Sequence, residues 1–77
     1  METTVLFFGE LAEIVGNKKI VLPNRGTTDL LKETLLEKFP ALKNKRYSVA
    51  INKEVISENK ELIEGDEVAL LPPFAGG

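Results

Sequence analysis

An α+β two-layer domain is predicted: a mixed sheet covered on one face by a single main helix. Three observations carry this. Hydrophobic residues make up 43% of the 77 residues and charged residues 29%, which is globular composition. Only one stretch, Asp29 to Phe39, has sustained helical periodicity. Short β-branched and aromatic runs flank it on both sides, and one helix can cover only one face of a sheet.

Thr3 to Phe8 reads as the first strand, ended by Gly9. Leu11, Ile14 and Val15 then stand at helical spacing within a short helix or turn from Glu10, and Gly16 is placed to stop it. Lys18 to Leu22 is a second strand with Ile20 and Leu22 on one face, halted at Pro23. Thr27 or Thr28 caps the main helix, whose positive end Asp29 and Glu33 suit. Along it Leu31, Leu35 and Phe39 recur every fourth residue, and Pro40 stops it.

A polar loop around Lys43 to Lys45 leads to an alternating strand, Tyr47 to Ile51. Asn52-Lys53-Glu54 turns the chain tightly into Val55-Ile56. Glu64-Gly65-Asp66 is a further turn, Glu67 to Leu71 is the last strand, and Pro72-Pro73 ends it. Hairpin, crossover helix and returning strands make the first and last strands central neighbours, which is the β-grasp (ubiquitin-like) arrangement. The expected core is Val5, Phe7, Ile20, Leu22, Leu31, Leu35, Phe39, Val49, Ile51, Ile56, Leu62, Val68 and Leu70. Residues 1–71 form the expected domain and 72–77 an extended tail.

The chain has no Cys and no His. Disulfides, thiolate nucleophiles and imidazole bases are therefore absent, and a structural zinc site has none of its usual ligands. Ten basic against twelve acidic residues give a net charge of −2, which excludes a polybasic grip on nucleic acid or an anionic membrane. No apolar run approaches the ~20 residues that span a bilayer, and no signal-peptide pattern follows Met1. The expectation is a cytoplasmic chain that is not an enzyme by itself.

The acidic residues Glu58, Glu61, Glu64, Asp66 and Glu67 match no calcium loop and read as solvated turn charges. Lys18-Lys19 and Lys43 to Arg46 read as solvated faces. Gly9, Gly16 and Gly26 form no phosphate-binding G-x-G-x-x-G, and no Walker sequence is present. ATP chemistry would therefore belong to a partner; no cofactor is expected on this chain.

The sharpest local signal is the C-terminus. Pro72 and Pro73 lock φ and favour extended geometry, so Phe74, Ala75, Gly76 and Gly77 leave on a stiffened exit. Six residues at ~3.3 Å each reach up to ~20 Å. Gly76-Gly77 lacks Cβ atoms and fits a channel that admits only backbone. Frayed ends are ordinary, and a lone Gly-Gly would carry no more than that. Diproline, short arm and Gly-Gly together point to the terminal carboxylate as the reagent. A free carboxylate is a poor electrophile and requires activation, most simply as an acyl-adenylate made by an ATP-using partner. A nucleophile such as sulfide then displaces AMP.

Alternation marks a second feature. With Val5 and Phe7 turned to the helix, Leu6 and Phe8 face the other way; Ala69 and Leu71 do the same in the last strand, and Val55 in the short one. A solvated face would carry Thr, Lys and Glu there. A one-residue register slip would swap the faces. Contiguity beside the tail exit favours a docking patch.

These residues resemble the MoaD family, the small sulfur-carrier subunits of molybdopterin synthase. The likeness runs over the whole chain through Val5-Leu6-Phe7-Phe8-Gly9, Leu11 to Gly16, Val49-Ala50-Ile51-Asn52 and, most specifically, Glu64 to Gly77 with its G-D-E-V-A-x-x-P-P-x-x-G-G ending. The resemblance implies that Gly77 is adenylated by an ATP-dependent activating enzyme of the MoeB type and converted to a thiocarboxylate. It implies that the tail, through Gly76 and Gly77, enters a MoaE-like large subunit, expected as a heterotetramer. There it donates sulfur to cyclic pyranopterin monophosphate, and two rounds build the dithiolene of molybdopterin. Partner contacts map onto Phe8, Val55 and Leu71, with Pro72, Pro73, Phe74 and Ala75 along the arm. Phe74 departs from the small β-branched residue of the family's tail, so either the partner channel has a matching pocket or Phe74 stays outside it.

Three other readings stand beside this one. A ThiS-like carrier of the thiamine pathway shares fold and thiocarboxylate but usually lacks the diproline. A ubiquitin-like modifier would join Gly77 to a target lysine; small archaeal proteins of that type are similar in sequence. A plain β-grasp adaptor leaves the Gly-Gly end unexplained.

Overall fold

The computed structural model describes residues 1–73. In chain order it contains β1 (Glu2–Phe7), α1 (Glu10–Val15), β2 (Lys19–Pro23), α2 (Thr28–Lys38), a 3-10 turn (Pro40–Asn44), β3 (Ser48–Ile51), β4 (Glu54–Ile56) and β5 (Glu67–Leu71). The strands form one mixed sheet in the order β2-β1-β5-β3-β4. β1 and β5 pair in parallel at its centre, with Val5 opposite Val68, and all other pairs are antiparallel. This is the expected β-grasp layout.

Alternation sets the two faces. Val5, Phe7, Leu22, Val49, Val68 and Leu70 point inward and meet Leu31 and Leu35 of α2 in one buried core. Phe7 and Phe39 add an edge-to-face aromatic contact with centroids 6.1 Å apart. Ile20, Phe39, Ile51 and Ile56, expected inside, are only partly buried and pack against the margin. Leu11, Val15 and Leu42 were absent from the expected core but are buried. Leu42 enters because Lys43 to Lys45 is not simply a polar loop: Pro40 starts a 3-10 turn that swings Leu42 under the sheet.

Each end of α2 has its stop. Thr27 is the N-cap, its Oγ1 accepting from the Leu30 amide at 3.3 Å. Asn59, far along the chain, adds a second cap: its Oδ1 accepts from the Asp29 amide (2.9 Å) and from the Thr28 hydroxyl (3.1 Å). The 59–62 segment is thereby tied across the helix start, and Leu62 is buried. Phe39 is the C-cap, one residue beyond the helical span, because Pro40 disfavours helix before it.

Two turn predictions hold in detail. Asn52 and Lys53 both have positive φ, 50° and 73°, as a two-residue type I′ hairpin requires. Gly65 at φ 90° closes the turn before β5, where the Asp66 amide donates to the Ile63 carbonyl. The first strand differs by a residue: it covers Glu2–Phe7, and Phe8 lies just beyond it. Gly9, at φ 55° and ψ −136°, turns the chain away immediately afterwards.

Candidate docking face and tail exit

The uncovered face of the sheet carries a row of apolar residues set by strand register. Leu6 pairs with Ala69, Ala69 with Ala50, and Ala50 with Val55, so four neighbouring strands each contribute one side chain. The two alanines form a low floor between larger flanks. Phe8 and Leu71 extend the row toward the end of β5. The result is a shallow concavity of about 210 Å³ lined by Leu6, Phe8, Ala50, Lys53, Val55, Glu67, Ala69 and Leu71.

All five residues expected on this face line the concavity. Phe8 is 45% exposed and Val55 62%, an unfavourable amount of apolar surface to leave in water. Ala50 was not singled out in the sequence, although alternation from Val49 and Ile51 points it outward. It is only 3% exposed, a methyl sheltered by larger neighbours. Lys53 and Glu67 give the rim one charge of each sign.

The tail leaves from the same corner. The Phe8 amide donates to the Leu70 carbonyl at 3.2 Å, carrying the β1–β5 ladder one step past the strand. Leu71 ends β5, Pro72 is half-buried and Pro73 is exposed. Pro72 lies against Gly9: a Cβ at Gly9 would stand 3.0 Å from Pro72 Cγ. The remaining tail positions, Phe74, Ala75, Gly76 and Gly77, lie outside the described residues. Thus Phe8, Val55 and Leu71 line one concavity, Val55 at its far side on the edge strand, and Pro72 lies against Gly9 next to Phe8 and Leu71.

Among the described residues, no group of three or more acidic side chains is disposed to hold a metal ion. Burial raises the pKa of Tyr47 above 10.0, and its ring packs against the core margin. Among the described residues no helix is long and apolar enough to cross a membrane.

With this geometry in view, comparison with known proteins decides the family. The ThiS family model matches residues 5–77. A molybdopterin synthase sulfur carrier subunit of Caenorhabditis elegans is 34% identical over 79 residues, 95% of this chain and 94% of that protein. The chain belongs to this family of sulfur carrier subunits. Among solved structures, a chain in the complex of subunits 1 and 2 of the Helicobacter pylori molybdopterin-converting factor is also similar. It aligns with 30% identity and a TM-score of 0.78 over 100% of both chains. SAMP1 of Haloferax volcanii, small archaeal modifier protein 1, aligns at 26% identity and a TM-score of 0.84, again over 100% of both chains. Sulfur carriers and a modifier thus share one ubiquitin-like body.

Proposed function

We propose that this chain carries sulfur on its C-terminal glycine for the synthesis of molybdopterin. An ATP-dependent, MoeB-like partner adenylates the Gly77 carboxylate with release of pyrophosphate. Sulfide or its equivalent then displaces AMP, leaving a thiocarboxylate. The loaded tail enters a MoaE-like large subunit, where its sulfur bonds cyclic pyranopterin monophosphate; water then cleaves the C–S bond to Gly77, leaving the sulfur on the acceptor and returning the carboxylate for another round. The chain binds no cofactor of its own, works in the cytoplasm and is the non-catalytic member of the complex.

One observation carries this reading: the apolar trough of Leu6, Phe8, Val55 and Leu71 adjoins the point where Pro72 and Pro73 lead toward Gly76-Gly77. A docking face beside a stiff exit lets one partner hold the body while the arm reaches its active site. Family membership and the complex of the Helicobacter pylori subunits support a large-subunit partner.

Intact mass after incubation with the activating enzyme, ATP and a sulfur source tests it. The expected result is an oxygen-to-sulfur exchange localised to Gly77. Deleting Gly77, or adding one residue after it, abolishes molybdopterin formation and leaves the fold intact. Sulfur transfer at the normal rate by the extended chain would sink the proposal.

The likeness to small archaeal modifier protein 1 favours one second reading, in which Gly77 forms an isopeptide bond with target lysines. Lysine-linked adducts in cells, lost on deleting Gly77, distinguish that use.

A further inference from the structure

Gly9 and Pro72 are distant in sequence and meet where the arm leaves the sheet. The Pro72 ring covers the side of Gly9 where a side chain would be, with Cγ, Cδ and Cβ at 3.0, 3.8 and 4.0 Å from an ideal Cβ position. Gly9 also has φ 55° and ψ −136°, a conformation that L side chains rarely adopt. Gly9 is also the N-cap residue of α1, and its carbonyl accepts from the Ala12 amide at 3.1 Å, so the turn at Gly9 is fixed from the helix side as well. On either side the same corner is fixed by backbone: the Phe8 amide bonds the Leu70 carbonyl, and the Leu11 and Ala12 amides bond the carbonyls of Phe8 and Gly9.

We propose that Gly9 is a positioning residue for the C-terminal arm. Its bare Cα gives Pro72 a seat that fixes how the root of the arm sits beside Phe8 on the docking face. A methyl group at Gly9 would force the ring to give by a few tenths of an ångström. Displacement at the root of an arm is magnified toward its tip, and misplacement of a reacting group by about 1 Å costs up to roughly a hundredfold in rate. This role rests on the sulfur-carrier reading above, whereas the contact itself does not.

Two measurements test it. In the unmodified protein, a proton–proton Overhauser contact between Gly9 Hα and Pro72 Hγ is expected whatever the chain carries; its absence overturns the proposal without touching the sulfur chemistry. In single-turnover sulfur transfer with the loaded chain and its large subunit, Gly9→Ala is expected to slow transfer roughly tenfold while subunit affinity stays within about twofold. In a Pro72→Ala background the same substitution is expected to cost at least about threefold less, because the ring it strikes is gone and only the backbone strain at φ 55° remains. An equal loss in both backgrounds would mean that backbone strain at Gly9, and not the seat for Pro72, is responsible, and would overturn the role. Should Gly9→Ala fail to fold, Pro72→Ala alone slows transfer if the seat matters; an unchanged rate ends the proposal. Wild-type chain that loads no sulfur at all overturns the carrier reading and this role with it, yet leaves the Overhauser contact in place.

Discussion

Asn52 and Glu67 hold each other by backbone and side chain at once: the Asn52 amide donates to the Glu67 carbonyl (2.8 Å), and the Glu67 amide donates to Asn52 Oδ1 (3.0 Å). Asn52 Nδ2 also donates to Asp66 Oδ1 at 2.9 Å, while Asp66 Oδ2 accepts from the Ile63 amide. One residue of the β3–β4 hairpin thus fixes the turn that launches β5. Its φ of 50° suits Asn better than most residues. Asn52→Ala is expected to cost about 2 kcal/mol and Asn52→Gly about 1 kcal/mol, since glycine relieves the backbone but restores none of the side-chain bonds. Urea unfolding measures both; an unchanged midpoint for Asn52→Ala would contradict the network.

Thr3 is fully buried, and its Oγ1 is the one buried side-chain polar atom without a hydrogen-bond partner among the described residues. An unpartnered hydroxyl in an apolar setting costs free energy that a methyl of similar shape does not. Thr3→Val is expected to stabilise by about 1 kcal/mol, which raises the melting temperature by roughly 4–8 °C in a domain of this size. A fall in melting temperature would show that the hydroxyl has a partner after all.

Tyr47 is the only tyrosine, and there is no tryptophan, so phenolate absorbance reports this side chain alone. Burial raises its pKa above 10.0, which means that folding favours the protonated phenol. The associated stability is complete below the unfolded value of about 10 and drains away as pH climbs through the higher folded value. Spectrophotometric titration is expected to give a midpoint above 10.0 in the folded protein, falling in denaturant. Tyr47→Phe removes this contribution to the alkaline loss of stability.

On the outer face, Phe8→Ala and Val55→Asp are expected to weaken capture of the large subunit at least about tenfold. Both residues are exposed on the uncovered face, so thermal melts of the isolated variants stay close to wild type. Leu71→Ala weakens binding as well but also destabilises, because Leu71 is half-buried at the end of a central strand. Isothermal titration beside melting curves separates the two effects. Full affinity in Phe8→Ala would remove this face from the interface.

Much of this was legible along the chain because alternation is a local signal. Knowing that Val5, Phe7, Val68 and Leu70 are apolar fixes where Leu6, Ala69 and Leu71 must point, and the register that aligns them follows from a parallel central pair. What escaped was non-local. Leu42 stands outside the expected core because only the 3-10 turn after Pro40 aims it inward. Asn59 carries no local signal, and its capping of a helix thirty residues earlier in sequence becomes visible only when the segments meet. Gly9 read correctly as a strand terminator, but nothing beside it in sequence announces the ring of Pro72.

The parallel pairing of β1 with β5 also bears on how the sheet closes. β5 lies between β1 and β3 and pairs with both. Without it both neighbours have open edges and the inner layer lacks Val68 and Leu70. The core is therefore completed only when the first and last strands meet, a contact of large sequence separation, so this domain is expected to fold more slowly than a helical bundle of its size.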